Sequence, residues 1–108
     1  MKDDRVYLRH ILDAILKIES YLKGVSYENF SANNMMIDAV IRELEIVGEV
    51  SKNVSMKFRM DHVDIPWSKI MGMRNYLIHE YFGVNKKIVW ETCETDLGQL
   101  KQQIKKLL

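Results

Sequence analysis

Two side chains in the second half of the chain have the chemistry that phosphodiester cleavage requires. Arg74 carries a permanently charged, planar guanidinium group suited to phosphate, and His79 can exchange a proton near neutral pH. Both lie within residues 72–83, where polar functional groups concentrate near the end of an otherwise apolar helical pattern. A histidine can act as general acid or base, and an arginine can stabilise developing negative charge. If the protein is a catalyst, we therefore expect its reactive groups to lie within residues 72–83.

The spacing of these residues limits how they can form a site. At about 100° per residue of helix, Asn75 and His79 share a face, whereas Arg74 and His79 are displaced by about 140° around the axis. A site that uses both needs the Arg74 side chain to wrap round, a helix that loosens before Gly83, or a second copy of the segment across a dimer interface. We favour the second copy, combined with a helix that ends close by.

A purely structural role for the same residues is the alternative. Arg74 can pair with an acidic residue such as Glu45 or Glu49, and His79 can be a hydrogen-bonded interface residue. Tyr81 can be a half-buried aromatic residue with its hydroxyl group in water. Spacing alone favours this structural interpretation over the catalytic one.

Four amphipathic segments must position residues 72–83. The first, second and fourth have apolar residues at three- and four-residue steps, and the third is placed by Pro66 at its start and Gly83 at its end. The predicted helices run through Leu22 to a stop at Gly24, from an N-cap at Ser31 to about Ser55, from about Pro66 to Phe82, and from an N-cap at Asn85 to the C-terminus. Residues 56–65 show no period. We predict an all-α fold, an up-down four-helix bundle with or without a short extra helix, in a single domain over residues 1–108.

Composition and charge exclude several classes of protein. The chain has 108 residues, of which 47% are hydrophobic and 29% charged, so it is not disordered, and its net charge of +1 creates no long-range field for an acidic partner. The single cysteine, Cys93, excludes an intramolecular disulfide and a cysteine-rich zinc site. The histidines show no metal-binding spacing and no phosphate-binding glycine loop occurs, so we expect neither a metal nor a cofactor.

We expect no targeting or membrane segment in this sequence. Its N-terminus is charged and lacks the apolar stretch of a secretion signal. The longest uncharged run, residues 29–37, is nine residues long, far below the roughly 20 that span a bilayer. We expect a cytoplasmic protein without a membrane partner.

Apolar surface on the two long helices suggests a protein partner. Their apolar stripes are wide and include Met35, Ile37 and Ile41 beyond the main row. A homodimer is one explanation, since closed two-fold assemblies are the commonest oligomers, and a broad core contact is the other. The sequence supports the two equally.

The residues singled out above resemble the signature of a known family. Arg74, four intervening residues, His79, one residue and Tyr81 match the Arg-x4-His-x-Tyr motif of HepT-type toxins, a branch of the HEPN superfamily also known as DUF86. Residues 39–49 resemble the family's second-helix segment, and residues 65–75 resemble its run into the motif. The resemblance covers nearly the whole chain.

The resemblance implies a helical bundle that dimerises and builds a metal-independent RNA endonuclease site from two copies of the motif. Arg74 and His79 map onto the catalytic pair, and Asn75 onto a supporting position that orients the phosphate or the ribose. Family members are usually encoded with a nucleotidyltransferase antitoxin of the MntA type, which transfers AMP to the motif tyrosine, here Tyr81. Adding AMP there would place a phosphate and a bulky nucleoside two residues from His79, so Tyr81 is expected to be a control point rather than a catalyst.

Two lysines near the motif are candidates for RNA binding, and one alternative function stays open. Lys86 and Lys87, close after the motif, are the best candidates for a rim that binds RNA phosphates, although such lysines are more often a solvated surface. The alternative to an RNA-cleaving enzyme is a non-catalytic subunit that docks onto a nucleotidyltransferase and helps to bind the nucleotide or substrate of that enzyme. In that case Arg74 and His79 are interface residues.

Overall fold

The structure of the chain is a computed structural model that describes residues 3–80 and 82–108. Helices make up its regular structure. No strand occurs in these two ranges, so the predicted all-α bundle is confirmed. The helices are α1 (Asp4–Leu22), α2 (Tyr27–Ser31), α3 (Asn34–Asn53), α4 (Met56–Asp61), α5 (Trp67–His79), α6 (Lys86–Glu91) and α7 (Leu97–Leu107), with a π-helical segment (Thr92–Asp96) joining the last two.

The first helix follows the prediction closely. The Asp3 side chain caps α1 by accepting a hydrogen bond from the backbone N–H of Arg5 at 2.9 Å. After the helix, Gly24 adopts a φ of +70°, the left-handed conformation that ends many helices and that other residues adopt only with strain. The buried face of α1 includes Leu8, Ile11, Ala14, Ile15 and Ile18. These residues form one wall of the core.

The central helix, α3, starts later than predicted. Ser31 is the last residue of the short helix α2, and the N-cap of α3 is Asn33, whose side chain accepts from the Met36 N–H at 3.0 Å. The prediction of an N-cap at Ser31 was wrong because several polar residues in this stretch can cap a helix, and a short helix buries Phe30 completely before α3 begins. From there α3 packs against both α1 and α5.

The aperiodic segment before Pro66 contains a helix that is too short to show a period. Ser55 caps α4 by accepting from the Phe58 N–H at 3.2 Å. Ser55 also donates to the Asp4 carboxylate from its backbone N–H at 2.8 Å and from its hydroxyl group at 2.7 Å. These bonds tie the start of α1 to the junction between α3 and α4.

Helix α5 is shorter than predicted at both ends. Pro66 is its N-cap rather than part of its first turn, and the helix ends at His79 instead of Phe82. At its start the indole Nε1 of Trp67 donates to the backbone oxygen of His62 at 3.0 Å. After its end, the Gly83 N–H donates to the oxygen of Glu80 in a tight turn at 2.8 Å. The helix therefore stops four residues before Gly83, which the prediction took as its end.

The last helical stretch begins as predicted but contains a π segment that the periodicity did not indicate. Asn85 caps α6, and its side chain accepts from the N–H groups of Lys87 and Ile88. In an uninterrupted α-helix Val89 and Leu97 would be about 80° apart around the axis. The wider π turn takes up an additional residue and lets both side chains be buried in the core.

None of the helices in the described ranges has the length and apolarity to cross a membrane.

Candidate active site

The crossing of α3 and α5 positions Arg74. Its Nη2 lies 2.9 Å from Oε2 of Glu49 on α3, and its Nη1 donates to Oδ1 of Asn75 at 3.2 Å. The Arg74 side chain is only 28% exposed, against 49% for Glu49. The guanidinium group is thus held between a carboxylate of the neighbouring helix and an amide of its own helix. The ion pair is the one that the structural interpretation of the sequence allowed.

A glycine brings the two helices together at this point. A Cβ atom added to Gly48 would overlap the Cβ of Arg74 and would lie 3.2 Å from the backbone oxygen of Ile70. The stem of Arg74 therefore packs directly on the backbone of α3. Sequence reasoning gave Gly48 no role, although a glycine inside an apolar helix costs roughly 1 kcal/mol relative to alanine and so often marks a close approach.

His79 is placed very differently, as the last residue of α5. Its side chain is exposed, and no residue in ranges 3–80 and 82–108 forms a hydrogen bond or an ion pair with it. An exposed imidazole at a helix end is accessible to a bound phosphodiester. A hydrogen-bonded interface role for His79 would need a donor or acceptor from another molecule.

The helix stays regular between the two motif residues. Because α5 is continuous from Trp67 to His79, Arg74 and His79 keep their angular displacement, and loosening beyond His79 does not change it. The guanidinium group does lean towards Asn75, the residue that shares the face of His79. The structure thus joins Arg74 and Asn75 by a hydrogen bond, and neither of these side chains bonds to His79.

The segment after α5 is tied back to the helix by Tyr76. Its hydroxyl oxygen accepts from the backbone N–H of Asn85 at 2.9 Å, and the next residue, Leu77, is fully buried. These contacts anchor both ends of residues 77–85 to the bundle. Tyr81, the predicted AMP acceptor, lies outside the described residues.

Lys86 and Lys87 both contact α2. The Lys86 Nζ donates to the backbone oxygen of Ser31 at 3.0 Å, and the Lys87 Nζ lies 4.5 Å from the ring centroid of Tyr27. Such a cation–π contact is worth about 0.5–1 kcal/mol at an exposed site. The two lysines therefore help to hold α6 on α2, and their contact with RNA stays a prediction.

Other reactive groups give little chemistry in the described residues. Burial, with a smaller effect of the neighbouring Glu94 carboxylate, raises the pKa of the Cys93 thiol to about 12, so it is protonated at neutral pH and a poor nucleophile. No cluster of three or more His, Cys, Asp or Glu side chains that could hold a metal ion is found in ranges 3–80 and 82–108.

The sequence matches known proteins over almost its full length. A family model described as ribonuclease HepT-like matches residues 11–107. A protein of Caldanaerobacter subterraneus subsp. tengcongensis, named as a candidate RNase, is 44% identical over 108 residues, which are 100% of this chain and 96% of that protein. A probable ribonuclease HepT of Thermococcus cleftensis is 42% identical over 101 residues, covering 94% of this chain and 92% of the relative. No solved structure matches the chain.

Proposed function

The chain belongs to the ribonuclease HepT-like family, and from this premise we propose that it is an RNA endonuclease that acts as the toxin of a toxin–antitoxin pair. One observation carries the proposal: α5 holds a charge-paired arginine and ends in an exposed histidine without a partner among the described residues. An anchored cation and an accessible acid–base group are what cleavage of a phosphodiester needs.

The chemistry that fits these side chains is transfer of the phosphate within the RNA. The ribose 2′-oxygen attacks the adjacent phosphorus while His79 of one copy removes its proton. A bond forms between the 2′-oxygen and phosphorus, and the bond from phosphorus to the 5′-oxygen breaks. The protonated His79 of a second copy gives its proton to that oxygen, which leaves a 2′,3′-cyclic phosphate and a 5′-hydroxyl group. Arg74 stabilises the charge on the non-bridging oxygens, so every proton and charge is assigned without a metal ion.

A homodimer would complete this site. Arg74 and His79 of one chain point in different directions around α5, so a second copy can supply the group that the first does not direct at the phosphate. The surface beside His79 is apolar, with Ile78 at 39% and Phe82 at 91% exposure. Exposed apolar surface of this kind favours association, and a two-fold axis next to α5 would bring two copies of the motif together.

Control by a partner enzyme is part of the proposal. We propose that a nucleotidyltransferase of the MntA type transfers AMP to the hydroxyl group of Tyr81, with release of pyrophosphate from ATP. The added phosphate is negatively charged and two residues from His79, so it would repel an RNA backbone. Co-expression with such an enzyme should add multiples of AMP to the intact mass, and Tyr81→Phe should abolish the adduct. An adduct that survives this substitution would contradict the assignment of Tyr81.

A non-catalytic accessory subunit is the second candidate function. The contact that favours it is the ion pair between Arg74 and Glu49, because an arginine with a structural partner does not require a substrate to explain it. In this alternative the exposed motif surface contacts a nucleotidyltransferase, and Arg74 and His79 have no role in RNA turnover.

Cleavage of labelled RNA in EDTA separates the two functions. The purified protein, shown by mass spectrometry to be free of AMP, is incubated with end-labelled total tRNA and with a generic RNA. We expect cleavage by the wild type and a loss of about 10²-fold or more for His79→Ala and for Arg74→Ala. His10→Ala, at an exposed histidine of α1, is the matched control and should cleave normally. Absence of cleavage by the unmodified wild type would favour the accessory subunit.

A further inference from the structure

Glu49 is the acidic residue through which α3 reaches Arg74. Its Oε2 lies 2.9 Å from Nη2 of the guanidinium group, and the carboxylate itself is half exposed. An ion pair at this exposure contributes little to stability. The same ion pair can nevertheless hold the guanidinium group in one direction.

The rest of the Arg74 side chain is already restrained. Its Cβ packs against the backbone of Gly48 so closely that a Cβ on that glycine would overlap it. With the stem held there, the remaining freedom is in the torsions that aim the guanidinium group. Glu49 on one terminal nitrogen and Asn75 on the other restrict this freedom from two sides.

This arrangement leaves donors for a substrate. A guanidinium group carries five N–H donors in a planar fork. One terminal nitrogen contacts Glu49 and the other donates to Asn75, and no other described residue bonds to the group. The remaining donors are therefore available to a phosphate in a direction that the two contacts determine.

We propose that Glu49 is a positioning residue that aims the unused N–H groups of Arg74 at the RNA phosphate. The inference rests on the proposed ribonuclease function and adds a residue outside the motif to its site. Orienting a long arginine side chain before substrate binds removes an ordering cost from the reaction. The expected benefit is to the transition state, and thus to kcat, because donors that are already aligned stabilise charge as it develops.

The charge of Glu49 acts in the opposite sense on binding. A carboxylate beside Arg74 weakens the attraction of an RNA backbone, so removing only the charge should lower KM or leave it unchanged. Glu49→Gln keeps an oxygen that can accept from Nη2, whereas Glu49→Ala removes the acceptor. The two substitutions therefore separate orientation from charge.

A second ion pair of the same length and similar exposure provides the control. Lys101 Nζ lies 2.9 Å from Oε1 of Glu19, with side-chain exposures of 21% and 43%, close to the 28% and 49% of Arg74 and Glu49. It joins α7 to α1 and contacts none of the motif residues. Glu19→Ala and Glu19→Gln reproduce the loss of a half-exposed pair without changing Arg74.

The test compares kcat and KM for RNA cleavage in EDTA among the wild type and these four variants, with thermal unfolding of each. We expect kcat of Glu49→Ala to fall about 10-fold, a part of the roughly 10²-fold that misplacing a reacting group can cost. Glu49→Gln should keep kcat within about 3-fold of the wild type, by the acceptor it retains, and both Glu19 variants should match the wild type. All variants should unfold at similar temperatures.

Several results would overturn the inference. Unchanged or increased kcat in Glu49→Ala would show that Glu49 has no positioning role or acts as a brake. Equal losses in Glu49→Ala and Glu49→Gln would assign the effect to charge rather than to orientation, and an equal loss in Glu19→Ala would assign it to stability. Each requires RNA cleavage by the wild type, whereas a wild type that cleaves no RNA would contradict the proposed function and this inference together.

Discussion

Two contacts between helices join the bundle through ion pairs of the same length, yet their surroundings differ. At the crossing of α3 and α5, Glu49 meets an arginine whose stem packs on the backbone of Gly48. Between α1 and α7, Glu19 meets Lys101 at the ends of two long side chains. The two pairs therefore have the same length and differ in how the positively charged side chain is held.

The chemical difference between arginine and lysine should produce the largest contrast between these contacts. Arg74→Lys keeps the positive charge but loses the planar fork that contacts Glu49 and Asn75 together, so we expect RNA cleavage to fall about 10²-fold. Lys101→Arg should change cleavage by less than about 2-fold, because that pair needs only a charge. Rates on one labelled RNA measure both. A fully active Arg74→Lys would show that the fork geometry does not matter.

Replacing the glycine of α3 or that of α7 by alanine should change the free energy of unfolding in opposite directions. Gly48→Ala forces a Cβ into Arg74 and the backbone near Ile70, and we expect a loss of about 1–3 kcal/mol in the free energy of unfolding. Gly98 in α7 has nothing within 4 Å of a built Cβ, so Gly98→Ala should stabilise the protein by about 0.5–1 kcal/mol. Urea unfolding followed by circular dichroism measures both changes. Equal effects of the two substitutions would contradict a close crossing at Gly48.

The thiol of Cys93, in the π segment that precedes α7, should have a smaller effect, on how stability depends on pH. Its pKa is raised to about 12 in the folded chain and is ordinary when unfolded, so the folded state holds the proton more tightly. The stability that this provides is present below the ordinary thiol pKa, and it declines as the pH rises from about 9 towards 12. We expect this decline to be smaller in Cys93→Ala when both proteins are unfolded in urea at pH 8, 9 and 10. An identical decline would show that the thiol is not responsible.

Cysteine labelling extends the same comparison to Gly48→Ala. Because the folded thiol is protonated, iodoacetamide should modify Cys93 slowly at pH 8 in the native wild type and readily in urea. If the disturbance in Gly48→Ala stays at the crossing of α3 and α5, the native rate should remain slow in that variant. Fast labelling there would show that the disturbance spreads to the π segment.

Much of the fold could be predicted because the signals for it are local. Apolar periodicity found the long helices. The N-cap at Asn85 and the stop at Gly24 were assigned from residue type alone. The short helices α2 and α4 and the π segment escaped, since each has too few residues to show a period. The end of α5 was misplaced because nothing in the local pattern distinguishes His79 from Phe82 as the last helical residue.

The candidate site shows the same division. The sequence alone determined which groups are present, because guanidinium and imidazole side chains keep their chemistry wherever they lie. Arg74 and His79 were singled out on that basis, and Asn75 through the resemblance to the family. It offered both Glu45 and Glu49 as partners for Arg74, since residues four apart share a helix face. Only the tertiary structure chose Glu49, because the point at which α3 and α5 cross depends on how closely two backbones can approach, and these helices approach closely at Gly48, next to Glu49.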